Sequence, residues 1–99
     1  MKIVWLKTAR SELQSIQRYL RANAGEKVAQ DIVHRIVQSG SALAHDPWLG
    51  HPSESTSGIH ELQVARLPYL LPYRVIDHRV EILRVFHQSQ EPPVKWTGR

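Results

Sequence analysis

The apolar positions change period along the chain, and each change marks an element. The opening run KIVWL (2–6) is a short block of β-forming residues and reads as a strand. After it, Ala9, Leu13, Ile16 and Leu20 recur every three or four positions, the spacing of one helix face. Thr8 is a candidate N-cap for this helix, which the pattern extends to about Asn23, with Gly25 as its terminator. A second helix is predicted from about Glu26 to His45, where Val28, Ala29, Ile32, Val33, Ile36 and Val37 continue to Leu43 and Ala44. Its stripe is wide enough to lie on a sheet, and the short link Ala24–Glu26 makes the two helices antiparallel neighbours.

Residues 45–58 (HDPWLGHPSESTSG) carry Pro47, Gly50, Pro52, Gly58 and a Ser/Thr cluster, and are predicted as loop. Three strands follow at 59–66, 69–76 and 80–86, the last two joined by a tight turn at DHR (77–79). Pro92 and Pro93 then prevent a regular ladder from continuing. The expectation is a single domain over 1–99 with 92–99 as a C-terminal tail. Its order is β-α-α-β-β-β, an α+β fold in which a helix hairpin packs on a mainly antiparallel sheet. Pro72 removes a backbone donor from the third strand and so fits an edge or a bulge. A free edge there would accept a partner's strand, whereas a proline-guarded edge would resist one.

Composition narrows the function. The chain has no Cys, which removes disulfide and thiolate chemistry and fits a reducing compartment. Four apolar residues, Ile3 to Leu6, are too few for a signal-peptide core, and no run approaches a membrane span, so a cytoplasmic protein with no membrane partner is expected. The six His include no recognised ligand spacing, so neither a metal nor another cofactor is expected. The first 24 residues hold Lys2, Lys7, Arg10, Arg18 and Arg21 against Glu12 alone, and thus the whole net charge of +4. Lys7, Arg10, Arg18 and Arg21 share a side of the first helix away from its apolar face. That stripe is either a solvated surface or a landing site for an acidic partner segment.

The opening strand followed by TARSELQSIQRYL, the loop DPWLGHPS, the run ARLPYLLPYRVIDHRVEILRVFHQSQEP and the late Trp96 together resemble the RelE/ParE family of bacterial type II toxins. The resemblance covers nearly the whole chain, with most weight on Arg66 to Pro92. It implies a helix hairpin on an antiparallel sheet and neutralisation by a cognate antitoxin protein. One branch of the family cleaves mRNA on the ribosome; the other, ParE-like, binds DNA gyrase without chemistry of its own.

Cleavage would need a base, phosphate clamps and an acid. The candidates are Glu61 as base, Arg66, Arg74 and Arg84 as clamps, and His87 as acid. A strand period of two separates them: Arg84 falls with Val80, Ile82 and Phe86, and His87 with Leu83 and Val85. A twist or bulge could reunite some of them. No Tyr follows His87, and the region from 59 onward is thin in basic residues for a surface gripping RNA. The ParE-like reading needs an interaction surface, for which Arg10, Arg18, Arg21, Arg74 and Trp96 are candidates. Trp96 either presents itself to a partner or folds back to plug the open side of the sheet. The resemblance therefore implies a gyrase-binding toxin closer to the ParE branch, with an mRNA endoribonuclease as the alternative and a bare binding module as a third class.

Overall fold

A computed structural model describes residues 1–97. The first strand, β1 (Lys2–Trp5), runs into helix α1 (Lys7–Ala24) with one residue between them. The Leu6 N–H donates to the Ile82 carbonyl at 2.9 Å, and the Leu6 carbonyl accepts from Arg10 N–H at 3.0 Å. Leu6 is thus the flanking residue, without a side-chain cap, and Thr8 lies inside the first turn rather than capping it. The strand ladder fixes the helix entry that a capping hydroxyl was expected to fix.

Gly25 separates α1 from α2 (Glu26–Ser41) at φ 95°, a conformation open mainly to glycine, and its N–H closes α1 on Leu20. The last predicted turn of the second helix tightens into a 3-10 turn, Ala42–Ala44. Where α2 crosses the sheet, a Cβ at Gly40 would stand 2.5 Å from the Trp5 ring and 2.8 Å from Ile82. Only glycine permits that approach.

The remaining strands are β2 (His51–Pro52), β3 (His60–Gln63), β4 (Tyr69–Ile76), β5 (Arg79–Ile82) and β6 (Phe86–His87). The sheet order is β1-β5-β4-β3-β2, with β6 also on β4. β1 runs parallel to β5 and the other pairs are antiparallel. The short β2 arises in the predicted loop. β3 stops early because the chain reverses around Arg66, at φ 62°. The DHR turn forms as expected: Ile76 pairs with Arg79, and Asp77 and His78 both take positive φ, as a two-residue hairpin demands.

Side chains divide between two cores. On the helix-covered face Ala9, Ile36 and Leu43 meet Leu62, Leu71, Tyr73, Val80, Ile82 and Val85. On the open face Ile59, Leu83, Phe86 and Trp96 form a second cluster, joined by Leu6 and Leu70. Pro72 lies in the central strand, between β3 and β5, so the free edge considered for it does not exist.

Candidate functional site

The predicted strand 80–86 is broken, and the break determines where its charged residues go. Tyr73 pairs with Ile82 and Leu70 with Phe86. Residues 71 and 72 therefore face residues 83, 84 and 85, which is a β-bulge. Pro72 accepts the Leu83 N–H at 2.8 Å but has no N–H to return. Its missing donor sits where the ladder is already interrupted, which is how a proline is tolerated in a central strand.

Glu12, on α1, fills the interruption. Its Oε1 accepts from Arg84 Nε at 2.8 Å and from the Val85 N–H at 3.1 Å; its Oε2 accepts from Arg84 Nη2 at 2.7 Å. Hydrogen bonding to the Glu12 carboxylate raises the Arg84 pKa above its ordinary value, against the opposing effect of burial. The bulge also resets the alternation. Leu83 and Phe86 face the open side, while Val85 enters the helix-side core. His87 is thus separated from Leu83, with which simple alternation had grouped it.

Glu61 and Arg84 both reach Trp96, Arg84 at 5.9 Å from its ring centroid, while the remaining candidates lie elsewhere. Glu61 is on the open face, where its Oε2 accepts the Trp96 indole N–H at 2.8 Å. His87 pairs with Tyr69, its ring edge-on at a centroid distance of 5.2 Å, and its Nδ1 is engaged by Ser89. Arg66 is exposed at the β3–β4 turn. Arg74 and Arg79 converge on the buried Glu81, at 2.7 and 2.8 Å. The Arg74 hydrogen bond, assisted by Arg79, lowers the Glu81 pKa despite the opposing effect of burial.

On α1, Arg21 pairs with Glu26, while Arg10 donates to the Trp5 carbonyl and Arg18 to Ser15 Oγ. Trp96 folds back. It is 6% exposed, its ring meets Phe86 at 5.2 Å, and its backbone N–H donates to Thr56 Oγ1 at 2.9 Å. The tail over its described residues therefore packs on the sheet at Trp96; residues 98 and 99 lie outside the described residues.

Three features escaped the sequence reading. Glu12 signals itself only as the lone acid in a basic segment. Trp48 is 61% exposed on a loop that Tyr73 pins, its hydroxyl donating to the Pro47 carbonyl at 2.9 Å and accepting the Gly50 N–H at 3.0 Å. The third is a cleft of ≈ 540 Å³ on the open face, beside Glu61 and Trp96. Among the described residues no group of three or more His, Cys, Asp or Glu is placed to hold a metal, and no helix is long and apolar enough to cross a membrane.

A helix hairpin on one face of a six-stranded, mostly antiparallel sheet is the RelE/ParE toxin architecture that the sequence led us to expect. The family described as ParE toxin of type II toxin-antitoxin system, parDE, matches residues 3–92, and the chain belongs to it. It is 37% identical to "Putative toxin Y4kP" of Sinorhizobium fredii (strain NBRC 101917 / NGR234) over 92 residues, covering 93% of each chain. It also superposes on a solved chain from the chromosomal ParDE TA system from P. aeruginosa with a TM-score of 0.79 and 28% identity, covering 88% of this chain and 95% of that one. The protein is a toxin of a type II toxin–antitoxin system, and a cognate antitoxin is its partner.

Proposed function

We propose that this toxin acts in the cytoplasm by binding DNA gyrase and blocking it, without a chemical step of its own. The observation that carries this reading is the separation of the candidate base and acid, Glu61 and His87, onto opposite faces of the sheet. A general base and acid must both reach one substrate within hydrogen-bond distance. Here Glu61 is held on the open face by Trp96, His87 packs on Tyr69 toward the helix side, and Arg66 stands alone at a turn. Arg84, one of the three clamps named from sequence, spends its fork on Glu12. A binding toxin asks for none of these groups to converge, and the exposed Arg10 and Arg18 remain available to a protein partner.

The test is a supercoiling assay with purified gyrase and the toxin freed of its antitoxin. Inhibition near stoichiometry, relieved by antitoxin and retained by His87→Ala, is the expected result. Uninhibited gyrase, together with His87-dependent mRNA cleavage on translating ribosomes, would replace this reading with the endoribonuclease one.

A further inference from the structure

The open-face cleft has a composition that sets it apart from the rest of the surface. Its walls include the rings of Phe86 and Trp96, Pro92 and Pro93 border it, and Glu54 and Glu61 supply its charge. Five of the nine acidic residues, Glu12, Glu26, Asp31, Asp77 and Glu81, are paired with cations. Glu54 and Glu61 have no ion pair among the described residues, although the chain has more cations than anions. Asp46 accepts the Trp48 N–H instead, and Glu91 is exposed on the tail beside Pro92.

Glu61 is also the better-fixed carboxylate. The Trp96 indole holds its Oε2, and its Oε1 has no hydrogen-bond partner among the described residues. Aromatic faces such as those of Phe86 and Trp96 attract a planar cation, and Arg84, which is not among the residues lining the cleft, lies 5.7 Å from the Phe86 ring centroid and 5.9 Å from that of Trp96. A planar cation entering the cleft would meet an oriented carboxylate, a second carboxylate and π-faces, with prolines to receive the apolar residues beside it.

We propose that this cleft is a binding site for an arginine side chain of the antitoxin, flanked there by apolar residues. The inference rests on the toxin–antitoxin pairing and not on the identity of the toxin's target. It assigns Glu61 the role of salt-bridge acceptor, Glu54 that of a supporting charge, and Trp96 that of both wall and clamp for Glu61.

The probe is acetyl-Leu-Arg-Leu-amide, with the citrulline analogue as its uncharged match. Each is titrated into the full-length free toxin while the Trp96 indole N–H resonance is followed by NMR. The arginine peptide is expected to shift that resonance saturably, and to bind roughly 5–10-fold more tightly than the citrulline peptide at low salt. Glu61→Gln keeps an acceptor for the indole and removes the charge, so it should erase that preference while the rest of the spectrum stays native. Equal shifts by the two peptides, no shift at all, or an undiminished preference in Glu61→Gln would overturn the site. The toxin co-purified with its antitoxin should no longer take up the arginine peptide. Uptake that persists in the complex would overturn the antitoxin as occupant.

Discussion

Glu12 faces two unmet demands at once. The bulge leaves the Val85 N–H without a strand partner, and Arg84 needs an acceptor to be three-quarters buried, at 26% side-chain exposure. One carboxylate satisfies both, so its removal leaves a buried donor and a partly buried cation together. Glu12→Ala should cost about 2–4 kcal/mol in urea unfolding. Glu12→Gln, which retains an oxygen for the Val85 N–H, should cost about half as much. Equal losses in the two variants would assign the whole effect to charge and none to the bulge. This pairing was illegible in the sequence because its members lie 72 and 73 positions apart. The period that marked α1 says which side Glu12 is on, but not what lies opposite. Burial of Trp96 was one of two readings open from sequence, and the choice between them depended on acceptors at Glu61 and Thr56.

At the scale of elements, legibility followed how local each determinant is. Both helices, the Gly25 break, β4 and the turn at Asp77–His78 are fixed by periodicity and turn chemistry within a few residues, and all formed where the pattern put them. The break between β5 and β6 was not visible, because ILRVF alternates well enough to read as one strand. What breaks it is a proline on the neighbouring strand and a carboxylate from a helix. β2 was hidden for a similar reason: it is an edge fragment held to β3 rather than a strand with its own pattern. The loop leading to it is anchored by the Tyr73 hydroxyl, which bonds the Pro47 carbonyl and the Gly50 N–H, and by the Trp48 ring edge-on to His60 at 5.2 Å. Tyr73→Phe keeps the buried ring and deletes both bonds, at a cost of about 1–3 kcal/mol. Hydrogen exchange should quicken at the Gly50 amide while β4 and β5 stay protected. Unchanged exchange at Gly50 would mean that packing alone holds the loop.

Across the whole molecule, charge is segregated by face rather than by chain segment alone. The first 24 residues supply the excess of cations, yet Arg21 is matched by Glu26. Lys7, Arg10 and Arg18 are the exposed members of the stripe without a carboxylate partner among the described residues. The uncompensated Glu54 and Glu61 lie at the open-face cleft instead. An antitoxin that presents acidic residues to α1 and an arginine to the cleft would match both signs at once. Long-range attraction acts mainly on the encounter and is screened by salt, whereas a seated ion pair acts mainly on escape. Reversing Arg10 and Arg18 to Glu should therefore slow antitoxin association by roughly tenfold at low salt, with dissociation little changed, and flatten its dependence on ionic strength. Adding Arg21→Glu should slow association further, because it leaves two carboxylates side by side with Glu26. Glu61→Gln should leave the association rate almost untouched and speed dissociation. Stopped-flow mixing over a salt series separates the two effects. An unchanged association rate in the Arg10 and Arg18 reversal would make the basic stripe a solvated helix face, and the cleft would then have to supply specificity without electrostatic steering from α1.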